Sequence, residues 1–196
     1  KALNINSRDY VLVASTHNTE ELQIYNVWKT LNRSELLIIA PRHPERRHVI
    51  IKQINCDNLA VRSKNDRVTE QTKVYLLDTI GELKDYFSDA QLVIMGGSFV
   101  PIGGHNILEP ASFNCAIITG PHMENFQEEL ELLLTNEAIL QVTTMPELSN
   151  TLSSLLENKT RKTTLINNTK KLSLKAKDIL NNYTKLIVPE HISRPK

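Results

Sequence analysis

One stretch decides the fold of this chain: Met95-Gly96-Gly97-Ser98-Phe99-Val100-Pro101-Ile102-Gly103-Gly104-His105-Asn106-Ile107-Leu108-Glu109-Pro110. It holds four of the six glycines and directly follows the apolar run Leu92-Val93-Ile94, which is typical of a buried strand. Glycine pairs permit sharp turns and close approach, because a residue without a Cβ atom adopts positive φ at no steric cost. Beyond Gly104 the pattern becomes helical, so the stretch predicts a strand, two glycine turns and a helix start.

A helix start of this kind suits an anion, because it offers unpaired N–H groups and the positive end of the helix dipole. We expect the anion to be a nucleotide phosphate. The predicted contacts lie in both turns and the helix start: Gly97, Ser98, Gly103, Gly104, His105, Asn106, Ile107, Leu108 and Glu109. In the alternative interpretation, Asn106 and Glu109 only form a capping box and the glycines only pack the helix against the sheet. The glycines alone do not decide between the two.

Length and composition fit an ordinary soluble protein. The 196 residues suit one domain, alone or with a small appendage. Lysine and arginine (23) nearly balance aspartate and glutamate (22), which leaves a formal net charge of +1. This balance gives no overall electrostatic reason to expect a nucleic acid partner, although it leaves room for a local basic patch.

Neither the cysteines nor the apolar runs point to export or to a membrane span. Cys56 and Cys115 show no CxxC spacing and no disulfide framework, so we expect reduced thiols in a cytoplasmic protein. No apolar run reaches the roughly 18 residues of a spanning helix, and the segment from Lys1 to Asp9 is polar where a signal peptide would be apolar. We therefore expect a soluble chain whose membrane contact is peripheral or made through a segment outside it.

Seven short apolar runs, separated by polar turns and helical spacing, predict alternating strands and helices. The predicted strands cover residues 10–14, 36–40, 59–62, 74–77, 92–94, 116–119 and 139–142. Such alternation with short loops predicts an α/β fold of the Rossmann-like kind, a parallel sheet with helices on both faces. Ligands of these folds bind at the carboxyl ends of the strands, near the point where the strand order switches direction.

Two predicted helices carry capping signatures, and two more carry clear apolar stripes. Thr79 with Glu82 and Thr144 with Glu147 each have the spacing of a capping box. The first box is expected to begin a helix with the apolar residues Ile80, Leu83 and Phe87. Stripes predict a helix with Phe126, Leu130, Leu133 and Leu134, and a long final helix from about Thr160 that buries Leu172, Ala176, Ile179, Leu180 and Tyr183.

The unusual loops all follow predicted strands, so they are expected to line one edge of the sheet. They are Ser15-Thr16-His17, Pro41-Arg42-His43, Thr79-Ile80-Gly81, the glycine stretch and Gly120-Pro121-His122. Arg42 is the strongest phosphate candidate, because a guanidinium is always charged and matches phosphate oxygens in pairs. Prolines on both sides stiffen its loop, which lowers the entropy lost on binding. Arg46 and Arg47 are expected on a solvated helix face.

Histidines and one glutamate complete the candidate site. His17, His43, His105 and His122 do not have the spacing of a zinc site, so we expect no metal and assign them to hydrogen bonds. The carboxylate of Glu109 only accepts hydrogen bonds, which suits two neighbouring ribose hydroxyls. Ser98 lies in a G-G-S-F run and not in a nucleophile elbow, so no catalytic nucleophile is predicted in this chain.

The motifs as a group resemble the 3-deoxy-D-manno-octulosonic acid (Kdo) transferases of lipopolysaccharide synthesis. The resemblance lies in A-S-T-H (14–17), A-P-R-H-P (40–44), D-T-I-G-E-L (78–83), G-G-S-F-V-P-I-G-G-H-N-I-L-E-P-A (96–111) and G-P-H (120–122). It covers the donor-binding C-terminal half of those GT-B enzymes, from residue 10 to about residue 183, and the long glycine motif is its most specific part. We accordingly expect residues 1–196 to form a single donor-binding domain.

The resemblance implies that CMP-Kdo is the donor and that Kdo passes, with inversion and without a metal or cofactor, to a lipid A precursor, lipid IVA. The family's nucleotide contacts fall on Pro41 and Arg42, on Thr79, Ile80 and Gly81, and on Asn106 to Glu109. The family's catalytic glutamate belongs to an N-terminal domain near a membrane-anchoring segment. We therefore expect that this chain holds no catalytic residue and that the full-length enzyme works at the cytoplasmic face of the bacterial inner membrane.

Two hypotheses of a different kind stay open. A related GT-B enzyme or epimerase that uses a UDP-sugar would share a glycine turn and a ribose-binding glutamate. A non-catalytic nucleotide-binding module would share the site without the chemistry.

Overall fold

The computed structural model describes Ile5 and residues 9–172, and all seven predicted strands are present in this part of the chain. They are β1 (Tyr10–Thr16), β2 (Leu36–Pro41), β3 (Leu59–Val61), β4 (Val74–Leu76), β5 (Leu92–Met95), β6 (Ile117–Thr119) and β7 (Leu140–Gln141). Every pair of neighbours is parallel, in the order β3-β4-β2-β1-β5-β6-β7. The prediction of a parallel α/β sheet is confirmed.

Helices or 3₁₀ turns connect the strands, and a 3₁₀ turn directly precedes α2 and α4. The α-helices are α1 (Glu20–Leu31), α2 (Arg47–Ile54), α3 (Leu108–Ser112), α4 (Gln127–Thr135) and α5 (Met145–Glu157), and residues 159–172 are also helical. The 3₁₀ turns span Pro44–Arg46, Arg62–Lys64, Leu83–Tyr86 and Glu124–Phe126. No helix in the described part of the chain is both long enough and apolar enough to cross a bilayer.

The sheet is covered on both faces, so the core has two layers. Leu12 and its alternate neighbours on β1 face a layer that includes α3, α4 and the 3₁₀ turn Leu83–Tyr86. Val11 and Val13 point to the opposite layer, which is built from α1, α2 and α5. Because both faces are buried, the strands are continuous apolar runs and not alternating ones, which is why the sequence shows them clearly.

The predicted helix after β4 is not formed as expected. The chain makes only the 3₁₀ turn Leu83–Tyr86, and the side chain of Ile80 is 89% exposed. The hydroxyl of Thr79 donates to the carboxylate of Glu82 over 2.6 Å, while Arg62 donates to both oxygens of that carboxylate over 2.9 Å. Glu82 is thus engaged by side chains, and the capping box predicted here is wrong.

The second capping box is confirmed. The Glu147 N–H donates to the hydroxyl of Thr144 over 3.2 Å, and the Glu147 carboxylate accepts from the Thr143 N–H over 2.7 Å. Helix α5 then buries Leu148, Leu152 and Leu155 against the sheet.

Two apolar stripes are only partly as predicted. On α4, Leu130 and Leu133 are buried, but Leu134 is 37% exposed because it points away from the sheet. In the last helix Leu172 packs against the core, and the other four predicted core positions, from Ala176 to Tyr183, lie outside the described residues.

Candidate nucleotide-binding site

The strand order places the candidate loops side by side. After β1 the chain moves to β2 and its outer neighbours, and then crosses back to β5 on the other side of β1. The order therefore switches direction at β1 and β5, and a crevice opens between the loops that follow these two strands. The loops after β4, β2, β1 and β5 form a row across neighbouring strands, about 14 Å wide at roughly 4.8 Å per strand.

The end of β1 and the loop that follows it have strained backbone. The pairing of β1 with β2 shifts register between Ala14 and Thr16, and Ser15 between them has φ 57°. Thr19, the residue before α1, has φ 79°. Positive φ is unusual for residues with a Cβ atom, and above all for a β-branched one, so other contacts must hold this loop in place.

Glu20 provides such contacts, and no pattern in the sequence singles it out. Its side chain is fully buried and accepts three backbone N–H groups, from His17 and Gly97 over 2.7 Å each and from Phe99 over 2.8 Å. Burial raises the pKa of Glu20, and the three N–H donors oppose that rise. The carboxylate thereby ties the loop after β1 to the glycine turn after β5, a role that only the three-dimensional contacts reveal.

These contacts change the interpretation of the first glycine turn. We expected its N–H groups to face a phosphate, but the N–H groups of Gly97 and Phe99 already donate to Glu20. Gly97 has φ +67°, and a Cβ atom there would lie 2.8 Å from Cδ2 of His105. The packing of the His105 ring on the turn is therefore sufficient to require a glycine here.

The Ser98 side chain also has a structural role. It is fully buried, its hydroxyl donates to the Met95 carbonyl over 2.5 Å, and it accepts the Gly120 N–H over 2.7 Å. The hydroxyl is thus engaged on both sides and has no exposed surface, so the predicted donor contact of Ser98 has no support in this structure. The residue joins the glycine turn to the loop after β6.

The second glycine turn packs on the segment after β6. Gly103 and Gly104 are buried with positive φ, and a Cβ atom would collide with the Asn125 amide in the first case and with the Met123 sulfur in the second. The predicted close approach is real, but here the approaching groups are protein side chains.

The start of α3 does not form the predicted capping box. Asn106 accepts the Leu108 N–H over 2.9 Å, and the helix has only five residues. The Glu109 carboxylate is exposed and has no hydrogen-bond partner within residues 9–172, so the reciprocal capping box is not formed. Ile107 is fully buried in the core, which excludes its side chain from a ligand, whereas Leu108 is 44% exposed.

Three histidines from three loops meet above the crevice. The Nε2 atoms of His17 and His105 lie 2.8 Å apart, with the ring centroids 5.0 Å apart and an angle of 21° between the ring planes. The His43 ring contacts the His17 ring edge to face, with the ring centroids 5.5 Å apart. Burial and the neighbouring positive groups lower the pKa of His17, and they lower the pKa of His105 to about 4. His122 lies apart from them, 3.3 Å from the Glu124 carboxylate.

No metal centre is evident in the described residues. They contain no group of three or more histidine, cysteine, aspartate or glutamate side chains arranged to hold an ion. The close approach of His17 and His105 is a direct hydrogen bond between their Nε2 atoms.

Arg42 and Arg46 have opposite surroundings. The backbone N–H of Arg42 donates to the Thr16 carbonyl. The Arg42 guanidinium is exposed and has no acceptor within the described residues. Its charge reaches the crevice, because it contributes to lowering the pKa of His105. Arg46 instead donates to the fully buried carboxylate of Glu21 over 2.8 Å, so the prediction of a solvated arginine is wrong there. Arg47 is 41% exposed.

The remaining predicted contacts flank Arg42. Pro41 ends β2 and is buried, so it can only position its neighbour. The loop of Thr79, Ile80 and Gly81 follows β4, which pairs directly with β2. Ile80 and Gly81 are exposed there, and Thr79 is half-buried. The exposed residues among the predicted contacts are therefore Arg42, Ile80, Gly81, Asn106, Leu108 and Glu109.

Known proteins resemble this chain in sequence and structure. It is 38% identical over 160 residues to the 3-deoxy-D-manno-octulosonic acid transferase of Rickettsia typhi, and 36% identical over 154 residues to that of Haemophilus influenzae. These matches cover 79% and 76% of this chain but only 34% and 36% of the relatives, so the chain spans about a third of their length. No family model matches the chain.

The structural match is to one domain of such an enzyme. The C-terminal CMP-Kdo binding domain of WaaA from Acinetobacter baumannii superposes with a TM-score of 0.78 and 31% identity, covering 85% of this chain and 89% of that domain. The expectation of a C-terminal GT-B half is thereby confirmed. The chain belongs to the 3-deoxy-D-manno-octulosonic acid transferase family, and it corresponds to the C-terminal domain of these enzymes.

Proposed function

We propose that this chain is the donor-binding domain of a glycosyltransferase that moves Kdo from CMP-Kdo to a lipid A precursor. The observation that carries the proposal is the near-complete match to a domain that binds CMP-Kdo in its own enzyme. The acceptor, lipid IVA, and peripheral association with the inner membrane follow from the family resemblance. The catalytic base would come from the N-terminal domain, and the transfer would invert the anomeric carbon without a metal.

The free polar groups along the sheet edge suit CMP. Arg42 presents an exposed guanidinium without an acceptor among the described residues, and this group is the best match to a phosphate. Glu109 presents a carboxylate that no donor in the same part of the chain engages, and it can accept from both ribose hydroxyls. The exposed Ile80 lies on the adjacent loop and offers apolar surface for the flat face of the base.

A binding titration tests the proposal. Calorimetry with CMP, UDP, cytidine and inorganic phosphate should show CMP as the tightest ligand, because it alone combines cytosine, ribose and phosphate. Incubation of this chain with CMP-Kdo and lipid IVA should give no transfer product. Tighter binding of UDP would favour the epimerase or UDP-sugar alternative, and steady transfer by this chain alone would contradict its assignment as the donor-binding half.

The remaining hypothesis, a nucleotide-binding module without catalysis, needs a different test. Mixing this chain with an N-terminal domain from a related Kdo transferase, or expressing the two as one polypeptide, should restore transfer if the chain is the donor half of an enzyme. Strong CMP binding with no transfer in any such pairing would favour the module.

A further inference from the structure

We propose that Glu20 is a positioning residue of the donor site: its carboxylate fills the anion-binding side of the glycine turn and thereby holds the turn, and the segment that continues to Glu109, in the conformation that receives the nucleotide. The inference rests on the proposed function for its ligand, but the contacts that it explains are internal to the chain. Glu20 itself is fully buried and so cannot touch a substrate.

The geometry is that of an occupied anion site. One oxygen of Glu20 accepts the N–H groups of His17 and Gly97 over 2.7 Å each, and the other accepts the Phe99 N–H over 2.8 Å. Converging backbone N–H groups at a glycine turn form the kind of concavity that binds phosphate in other proteins. Here a side chain of the protein supplies the anion, so the turn is complete before any ligand arrives.

The strained backbone around Glu20 explains why these hydrogen bonds are needed. Ser15 and Thr19 on one side of the crevice have φ of 57° and 79°, and Gly97 on the other side has φ +67°. Conformations of this kind persist only where surrounding contacts over-determine them. Without the carboxylate, the buried Gly97 N–H and the partly buried N–H groups of His17 and Phe99 would lose their acceptor, which favours a displacement of the turn.

A moved turn would disturb the candidate ligand groups. The His105 ring lies against Gly97, where a Cβ atom would come within 2.8 Å of it, and the Gly104 N–H donates to the Gly97 carbonyl over 2.9 Å. Any displacement of Gly97 thus affects Gly104 and His105, which lie in the loop before Glu109, five and four residues from it in the sequence. Glu20 is on α1, so the position of this loop is set from the opposite side of the crevice.

The first experiment needs no ligand. Amide hydrogen exchange by NMR would compare the wild-type chain with Glu20→Gln and with Leu152→Val, a control that weakens the fully buried packing of α5 away from the crevice. The side-chain amide in Glu20→Gln keeps one acceptor oxygen but turns an N–H₂ group toward at least one of the three donors. Exchange at Gly97 or Phe99 should therefore be at least about tenfold faster than in the control, as for a locally opened segment. Unchanged protection of both amides would overturn the proposal.

The second experiment measures CMP affinity by calorimetry. If loss of the carboxylate leaves the turn correctly folded about a tenth of the time, the dissociation constant should rise about tenfold in Glu20→Gln and Glu20→Ala, but not in Leu152→Val. Formate or acetate should restore part of the affinity of Glu20→Ala, because it can refill the space of the carboxylate, and should have no such effect on the control. Wild-type affinity in both Glu20 variants would overturn the proposal.

The two experiments separate the inference from the proposed function. If the wild-type chain does not bind CMP, the function is wrong, and the exchange rates of Gly97 and Phe99 still decide whether Glu20 holds the turn. If Glu20→Ala does not fold, Glu20→Gln decides both measurements, because it preserves the size of the buried side chain.

Discussion

The Nε2 atoms of His17 and His105 face each other at 2.8 Å across the crevice between β1 and β5. One ring must donate and the other accept, so the contact requires that at least one of the two is neutral. Protonation of both would place two N–H donors opposite each other, close to the exposed charge of Arg42 and the ring of His43. The hydrogen bond between the two rings, and with it the stability of the structure around the crevice, should therefore depend on pH.

The first prediction is a loss of stability below neutral pH. His105 has a pKa of about 4 in the folded chain, below the 6.5 of a free histidine. The unfolded chain binds the extra proton between these values, so the free energy of unfolding falls as the pH decreases from 6.5 towards 4. Because the ring is only half-buried and partly screened, we expect a loss on the order of 1 kcal/mol between about pH 7 and pH 5, measured by urea unfolding.

The matched control is His105→Phe, which keeps a ring against Gly97 but cannot titrate. Its stability should depend less on pH than that of the wild type. Glu20, whose raised pKa acts in the opposite direction, is present in both proteins and cancels in the comparison. Equal losses in the two proteins would show that the histidine pair does not cause the acid sensitivity.

The second prediction contrasts two arginines of one loop. Arg42→Ala should weaken CMP binding by roughly 1.5 to 3 kcal/mol, the scale of a hydrogen bond to a charged group, with little change in melting temperature. Arg46→Ala should instead cost ~3 kcal/mol of stability, because it removes the only charged partner described for the buried Glu21 carboxylate and leaves it the hydroxyl of Thr16, at 3.0 Å. Calorimetric titration and thermal melting of both variants check this. A stable Arg46→Ala protein, or an unchanged CMP affinity of Arg42→Ala, would contradict the respective assignment.

The strands, and the edge of the sheet that carries the candidate loops, could be predicted from the sequence, because both follow from local patterns. A strand buried on two faces is a continuous apolar run, and the loops that follow parallel strands share an edge whatever the details of packing. Thr144 and Glu147 are close in sequence, so their capping box could be predicted as well.

What could not be predicted depends on contacts between distant residues. The acceptor for Gly97 is Glu20, 77 positions away, and Arg62 engages Glu82 across 20 positions and so removes it from the expected capping box. The pattern around Ser98 was equally compatible with a ligand contact, and only its burial under the loop after β6 shows otherwise. Glycine and serine motifs therefore located the turn without revealing which partner it binds.

The third prediction compares two glycines with similar backbone. Gly97 and Gly81 have φ of +67° and +84°, but a Cβ atom at Gly97 would meet the His105 ring, whereas one at Gly81 would meet none of the described residues within 4 Å. Gly81→Ala should therefore cost only the conformational strain, about 1 kcal/mol, and Gly97→Ala about 2 to 3 kcal/mol. Urea unfolding measures both. Similar losses would mean that the His105 ring yields easily and does not constrain the turn.

The structure helps to separate the two interpretations of Glu109, a ribose contact and a helix cap. Its exposed carboxylate accepts no hydrogen bond from residues 9–172, and Asn106 satisfies the Leu108 N–H without it. A structural role for the charge therefore has no support in the contacts of α3.

The last prediction is that Glu109→Gln lowers CMP affinity by roughly 1 to 2 kcal/mol while the melting temperature barely moves. A neutral amide is a weaker acceptor than a carboxylate toward two ribose hydroxyls, which gives the selective loss. Cytosine and inorganic phosphate are the control ligands, since neither contains a ribose, and their weak binding should not fall. Phosphate should even bind slightly better, because a nearby negative charge is removed. If calorimetry shows intact CMP affinity in Glu109→Gln, the ribose contact must lie elsewhere, and the exposed loop of Thr79 to Gly81 is the next place to test.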